Sequence, residues 1–174
     1  MKNLFSIKVL LPVLCILFTA SQLKAQDDMG KPAPINSESM KMLMGTWKSD
    51  PYQFFGTNWT DMATHSMKHN GQYMFIDISG SDDRNHSYTG TIIMTCDKDG
   101  NLTGWSFDDW GGMTTYTGKA NGNKITVTGT NPMMTETREI EINGNTMVHK
   151  VSSTMKGKDG KDMVMTTNVT YHKQ

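Results

Sequence analysis

Arg138 is one of only two arginines in the 174-residue chain, and the segment carrying it reads as a strand that runs into an Asn143-Gly144 turn. Pairing across that turn sets Ile140 opposite Met147, Arg138 opposite His149 and Glu136 opposite Val151, with Ile142 on the same face. A guanidinium on an aliphatic face keeps its charge, so it needs a carboxylate, a ligand anion or water beside it. An anionic head group there would gain charge-assisted hydrogen bonds. Glu136 offers the alternative, an internal salt bridge. Around Asn70-Gly71 the same reasoning sets Met67 against Met74 and His65 against Ile76; around Asn121-Gly122 it sets Tyr116 against Val127. Around Asp99-Gly100 it sets Met94 against Trp105, Ile92 against Phe107 and Cys96 against Thr103. With each aliphatic face turned inward, the expected ligand site has Arg138 and His149 at its polar end. Met67, Met74, Trp105 and Tyr116 form its apolar wall, and His65 shares the face of Met67.

Other chemistries are less well supplied. His65-Ser-Met67-Lys-His69 places two imidazoles and a thioether on one strand face, and Met40-x-Met42-x-Met44, Met147-x-His149 and Met163-x-Met165 repeat the spacing. Soft ligands of this kind suit Cu(I). The methionines are spread along the whole chain, however, and Met fills irregular interiors well, so core filling is the stronger reading and copper the alternative. No metal site and no cofactor is expected. There is no Gly-x-Ser-x-Gly elbow, His-Glu-x-x-His pair, phosphate loop or paired cysteine, which points away from an enzyme. Asp97-Lys-Asp99-Gly100 imitates a calcium loop, but its Gly falls early and no closing Glu follows, so it reads as a turn. A third reading, a protein-interaction or inhibitor module with a filled interior, would use an Asp50–Asp61 loop rich in Tyr52, Phe54, Phe55 and Trp59.

The elements that must position these residues are extended. Met1–Ala25 has Lys2 and Lys8, an apolar run from Val9 to Phe18, and a small residue before Gln26, the pattern of a secretory signal peptide. The run is about half of the ~20 residues a membrane span needs, so no stable membrane insertion is expected after cleavage. Residues 26–36 read as a flexible leader and 37–174 as one domain. Removal of the signal takes Lys2, Lys8 and Lys24, which leaves 14 basic against 17 acidic residues and no reason to expect a nucleic-acid partner. Two leucines, Leu43 and Leu102, remain beside 21 threonines and 15 methionines. A helical bundle so short of leucine would be odd, whereas Thr, Val and Ile suit half-buried pleated surfaces. Cys15 leaves with the signal, and Cys96 alone excludes an internal disulfide. Turn signals at Asn70-Gly71, Asp99-Gly100, Asn121-Gly122, Asn143-Gly144 and Lys158–Lys161 divide the chain into about nine or ten strands. The reading is all-β: one antiparallel up-and-down barrel with a short helix near Ser37, exported to the periplasm or beyond. No feature of the sequence specifies an oligomeric state.

Leu43-Met-Gly-Thr-Trp47, after that short helix and opening the first strand, resembles the Gly-x-Trp start of the calycins. Those are the lipocalins, the fatty-acid-binding proteins and the nitrobindin-like haem barrels. Together with Tyr88-Thr-Gly90, the Asp97–Gly100 turn with Leu102–Trp105, Thr135-Glu-Thr-Arg138, and Asp159-Gly-Lys161 leading to Tyr171, the chain is similar to a calycin-like bacterial family of unknown function. The resemblance spans roughly residues 40–172. It implies a barrel that binds a small apolar or amphipathic molecule, with Arg138 in the place of the arginine that fatty-acid-binding barrels use for a head group. It implies a structural role for Trp47, with Lys173 the nearest basic side chain to stack on it. It also raises haem as an alternative, since nitrobindin-like relatives hold iron through one histidine. His172 alternates to the outer face, and His149 matches no haem motif.

Overall fold

The computed structural model describes residues 33–174, apart from Phe55 and Lys158, so the signal segment lies outside the described residues. Helix α1 (Glu38–Leu43) precedes eleven strands: β1 (Gly45–Ser49), β2 (Tyr52–Phe54), β3 (Thr57–Lys68), β4 (Tyr73–Asp82), β5 (Ser87–Cys96) and β6 (Asn101–Asp108), then β7 (Met113–Asn121), β8 (Lys124–Thr130), β9 (Met134–Asn143), β10 (Thr146–Lys156) and β11 (Asp162–Lys173). Every strand from β3 to β11 pairs antiparallel with the next, and β1 closes the ring by pairing with both β11 and β3. Strand β2 continues the path of β1 past Pro51 and pairs with β3, so ten strands make the closed barrel. Closure leaves only the short β2 with an edge that no strand pairs, and explains why the interior alternates with the surface along the strands.

The two ends differ, and the sequence explains the difference. The tight turns after β3, β5, β7 and β9 all lie at one end, beside the start of β1 and the finish of β11. Helix α1 packs there: Met40 and Leu43 are buried, and the Ser39 hydroxyl donates to the Gly122 carbonyl. Packing begins slightly ahead of Ser37, because Ile35 is buried and its N–H bonds the Gly71 carbonyl at 2.8 Å. Ser37 occupies the N-cap position without a capping side-chain bond. Trp47 is fully buried, donates through Nε1 to the Leu43 carbonyl at 2.7 Å, and carries the Lys173 ammonium 5.2 Å from its ring. An aromatic plug with a cation above it closes this end, as the Gly-x-Trp resemblance implies.

The hairpins correct part of the expected register. Met67 does face Met74, and His65 does face Ile76. The next hairpin slips by one residue: Cys96 pairs with Leu102, Met94 with Gly104 and Ile92 with Ser106. Asp97 is the cause. Its carboxylate accepts from the Asp99 and Asn101 N–H groups, and Gly100 takes a left-handed φ of 82°, so the loop is a residue longer than an Asp-Gly turn. A one-residue slip turns every side chain of β6 to the opposite face. Trp105 and Phe107 therefore lie outside, 39% and 49% exposed, while Gly104 and Ser106 face in. Cys96 stays inside, buried, and burial pushes its thiol pKa up, which makes it an inert packing residue. At the two later Asn-Gly sites the loops are Gly122-Asn123 and Gly144-Asn145, one place further along. That moves Arg138 opposite Val151 and His149 opposite Ile140, yet keeps both on the inner face.

Candidate functional site

Among the described residues, two cavities lie inside the barrel, one above the other. The deeper, of about 60 Å³, lies toward the closed end among Leu43, Ile76, Met94, Ile125 and Met147, with His65 and His149 in its wall. The wider, of about 260 Å³, reaches the mouth, where the loops after β4, β6, β8 and β10 gather. Ile78, Ile92, Tyr116, Arg138 and Tyr171 line both and form the partition between them.

The lower cavity is unsuited to a charged head group. Neither ring nitrogen of His149 has a hydrogen-bond partner, nor does Nδ1 of His65. Burial holds His149 well below the usual histidine range, and the positive Arg138 adds to this. Burial likewise lowers His65 to about 4. Both imidazoles are therefore neutral, and His149 rests against the Tyr171 ring with centroids 4.8 Å apart. His149 and Arg138 do not share an anion site as expected. The guanidinium is taken by Glu136: Nε donates to Oε1 at 2.5 Å and Nη2 to Oε2 at 3.2 Å, with the Ser153 hydroxyl 3.4 Å from Oε2. Glu136 holds the guanidinium charged where burial alone would weaken it. The internal salt bridge, one of the two partners open to Arg138, is the one formed.

The upper chamber owes its polar side to a residue the sequence reading passed over. Asp61, 4% exposed, accepts at Oδ2 from the Tyr52 hydroxyl at 2.8 Å and the Tyr171 hydroxyl at 3.1 Å, and its N–H donates to the Ser49 hydroxyl. Its other oxygen, Oδ1, has no hydrogen-bond partner. Burial raises the carboxyl pKa, and the hydroxyls of Tyr52, Tyr88 and Tyr171 draw it back down. The same burial, reinforced by Asp61, pushes all three tyrosines up, so each stays a neutral donor. Gly80 makes the arrangement possible: a Cβ there would stand 2.3 Å from Asp61 Oδ1 and 2.4 Å from the Tyr88 ring. From Trp59 the aromatic wall continues to Tyr88 at 5.7 Å and on to Trp110 at 6.4 Å, the last 72% exposed on the β6–β7 loop. Asp108 fixes that loop by accepting from the N–H groups of Trp110 and Gly112.

Of the expected site residues, Arg138 and Tyr116 line both cavities, while His65 and His149 line only the lower one. Met74 is fully buried and Met67 packs against the same core, both toward the closed end and outside either cavity. Trp105 is on the outer surface and leaves the site. The Asp50–Asp61 segment is not a contact loop, because it folds as β2 and the start of β3 with Tyr52 and Trp59 lining the chamber. Asp61 was within reach of the sequence, since alternation from the inward His65 and Met67 runs through Ala63 to Asp61 and Trp59.

These features define a calycin-like barrel, ten-stranded, closed at one end and hollow at the other. The chain matches no described protein family and no curated protein. Among solved structures it is similar to Rv2717c from M. tuberculosis, at 10% identity and a TM-score of 0.62, over 82% of this chain and 99% of that one. Weaker likenesses are to a redesigned β-barrel, mFAP1, bound to DFHBI (13% identity, TM-score 0.45, 79% of this chain and 100% of that one), and to EF1p2_mFAP2b bound to DFHBI (14%, 0.46, 78% and 97%). The likeness to Rv2717c supports the fold.

Proposed function

We propose that the chain is an exported, non-enzymatic barrel that binds a small amphipathic molecule in the upper chamber. The observation that carries the reading is the chamber itself, about 260 Å³ walled by Tyr52, Trp59, Tyr88, Tyr116 and Tyr171 around the buried Asp61. A core built only for stability would fill such a space, because close packing is the norm in protein interiors. Since a 150 Å³ cavity takes benzene, this one takes a molecule of roughly ten non-hydrogen atoms. A long fatty acid exceeds that volume, and the Glu136-paired Arg138 has no free charge for its carboxylate. Ligand pockets combine apolar walls with a few convergent polar groups, and Asp61 with its tyrosines supplies them.

Binding is tested with 2-phenylethanol as a neutral probe. The expected dissociation constant is about 1 mM or tighter, from about 0.5 kcal/mol per non-hydrogen atom. Ser106, on the inner face of β6 and lining the chamber, is the residue to enlarge. Ser106→Trp, filling the space, should weaken the probe by about tenfold or more while circular dichroism still reports strands. Equal binding by the variant would remove the chamber as the site. For export, the expected product after cleavage begins at Gln26, and N-terminal sequencing of exported protein that still found Met1 would contradict it.

A further inference from the structure

Charge balance in the upper chamber says which amphipathic molecules it takes, an inference that rests on the chamber being the binding site. Among the described residues, the ionisable side chains lining it, tyrosines aside, are Asp61, Asp108, Glu136 and Arg138, with neither lysine nor histidine. Glu136 and Arg138 neutralise each other through two hydrogen bonds. Asp61 has no cation bonded to it: its hydrogen bonds come from tyrosine hydroxyls, its Oδ1 is unpaired although the residue is 4% exposed, and the positive charge that acts on it is the Arg138 already paired with Glu136. A buried carboxylate without a counter-charge is unfavourable, and the complement is a single positive charge. The walls suit the same partner. Trp59, Tyr88 and Trp110 form a contiguous run from beside Asp61 to the mouth, and aromatic faces attract ammonium groups through their quadrupoles. Asp108 adds a third carboxylate nearer the rim, which would draw a cation inward and repel an anion.

We propose that the chamber is specific for small organic cations, with the ammonium group against Asp61 and the apolar remainder against Trp59, Tyr88 and Trp110. The carboxylate and the aromatic faces act together, so neutral and anionic molecules of the same shape satisfy the site less well. Gly80 makes room for the carboxylate beside the Tyr88 ring, since a Cβ there would stand 2.3 Å from Oδ1.

Three probes of like size and different charge test this: 2-phenylethylammonium, 2-phenylethanol and 3-phenylpropionate, titrated calorimetrically at about pH 8, below the ~10 of an alkylammonium pKa. The ammonium should bind about tenfold or more tighter than the alcohol, the scale of a desolvated cation–π contact plus a charge-assisted bond, and the carboxylate weakest of all. Asp61→Asn, which keeps the shape, should abolish the preference for the ammonium over the alcohol. If the alcohol or the carboxylate binds as well as the ammonium in wild type, the cation specificity is wrong while the chamber remains a binding site. If none of the three binds, both readings fall. The wild-type series decides by itself should Asp61→Asn not fold.

Discussion

Arg138→Met is expected to lower the melting temperature by about 10–15 °C, and that loss is the clearest energetic signature of this interior. Methionine keeps most of the bulk and removes the charge, leaving Glu136, 7% exposed, without its guanidinium. Breaking a buried ion pair from one side typically costs about 3–5 kcal/mol, because the surviving charge stays desolvated. For a domain of this size each kcal/mol moves the midpoint by about 2–4 °C. Adding Glu136→Gln should restore much of the loss, since a neutral amide can still accept from Ser153, which sits 3.4 Å from the carboxylate. A single variant with unchanged stability and a double variant no better than the single would each contradict the pairing. Full stability together with lost affinity for an anionic probe would return Arg138 to the role of an anion anchor.

The second large effect is a loss of stability on mild acidification. His65 and His149 are buried and neutral in the folded barrel, with pKa values lowered first by burial, His65 to about 4. Unfolded histidine titrates near 6.5, so between that value and the lowered folded values the unfolded chain binds more protons. Stability therefore rises with pH through this window and falls as pH drops below about 6.5. From pH 7.5 to 5, His65 alone removes about 2 kcal/mol, and His149 acts in the same direction. Asp61 works against them, because its raised folded pKa favours the protonated folded state above the ordinary carboxylate range. The two histidines set the expected direction, and urea unfolding at pH 7.5 and pH 5 should show the drop. His149→Leu should flatten the profile at little cost at pH 7.5, since both ring nitrogens lack partners. A stability that is level or higher at pH 5 would contradict the account.

How much of this was readable from the residues depends on which turns kept their expected length. The Asn70-Gly71 hairpin has the expected register although its loop runs from His69 to Gln72. The two later Asn-Gly loops shift by one place on each strand, which preserves faces, so Arg138, His149 and Tyr116 remain inside. Asp97 broke the pattern, because a side chain that bonds its own loop adds a residue no hydrophobic periodicity reveals. That single slip moves Trp105 from the expected interior to the surface and brings Ser106 inside. The chamber itself was harder to foresee. Its aromatic and acidic members lie on β2, β3, β5, β6, β7, β9 and β11, and only closure of β1 onto β3 and β11 brings Tyr52, Asp61 and Tyr171 within hydrogen-bond distance. Asp61 and Glu136 resemble solvated strand residues until the barrel closes around them.

The many methionines allow the central claim, a hollow mouth that takes a small molecule, to be read site by site. Met134 lines the upper chamber; Met40 and Met74 are buried toward the closed end, and Met113 and Met133 are exposed on the outside. Titration of 2-phenylethanol into protein carrying 13C-methyl methionine should give a saturable shift at Met134, none at Met40 or Met74, and no shift at Met134 in Ser106→Trp. Shifts confined to Met113 and Met133, or growing without saturation, would mean that the molecule only touches the surface and that the chamber is not a binding site.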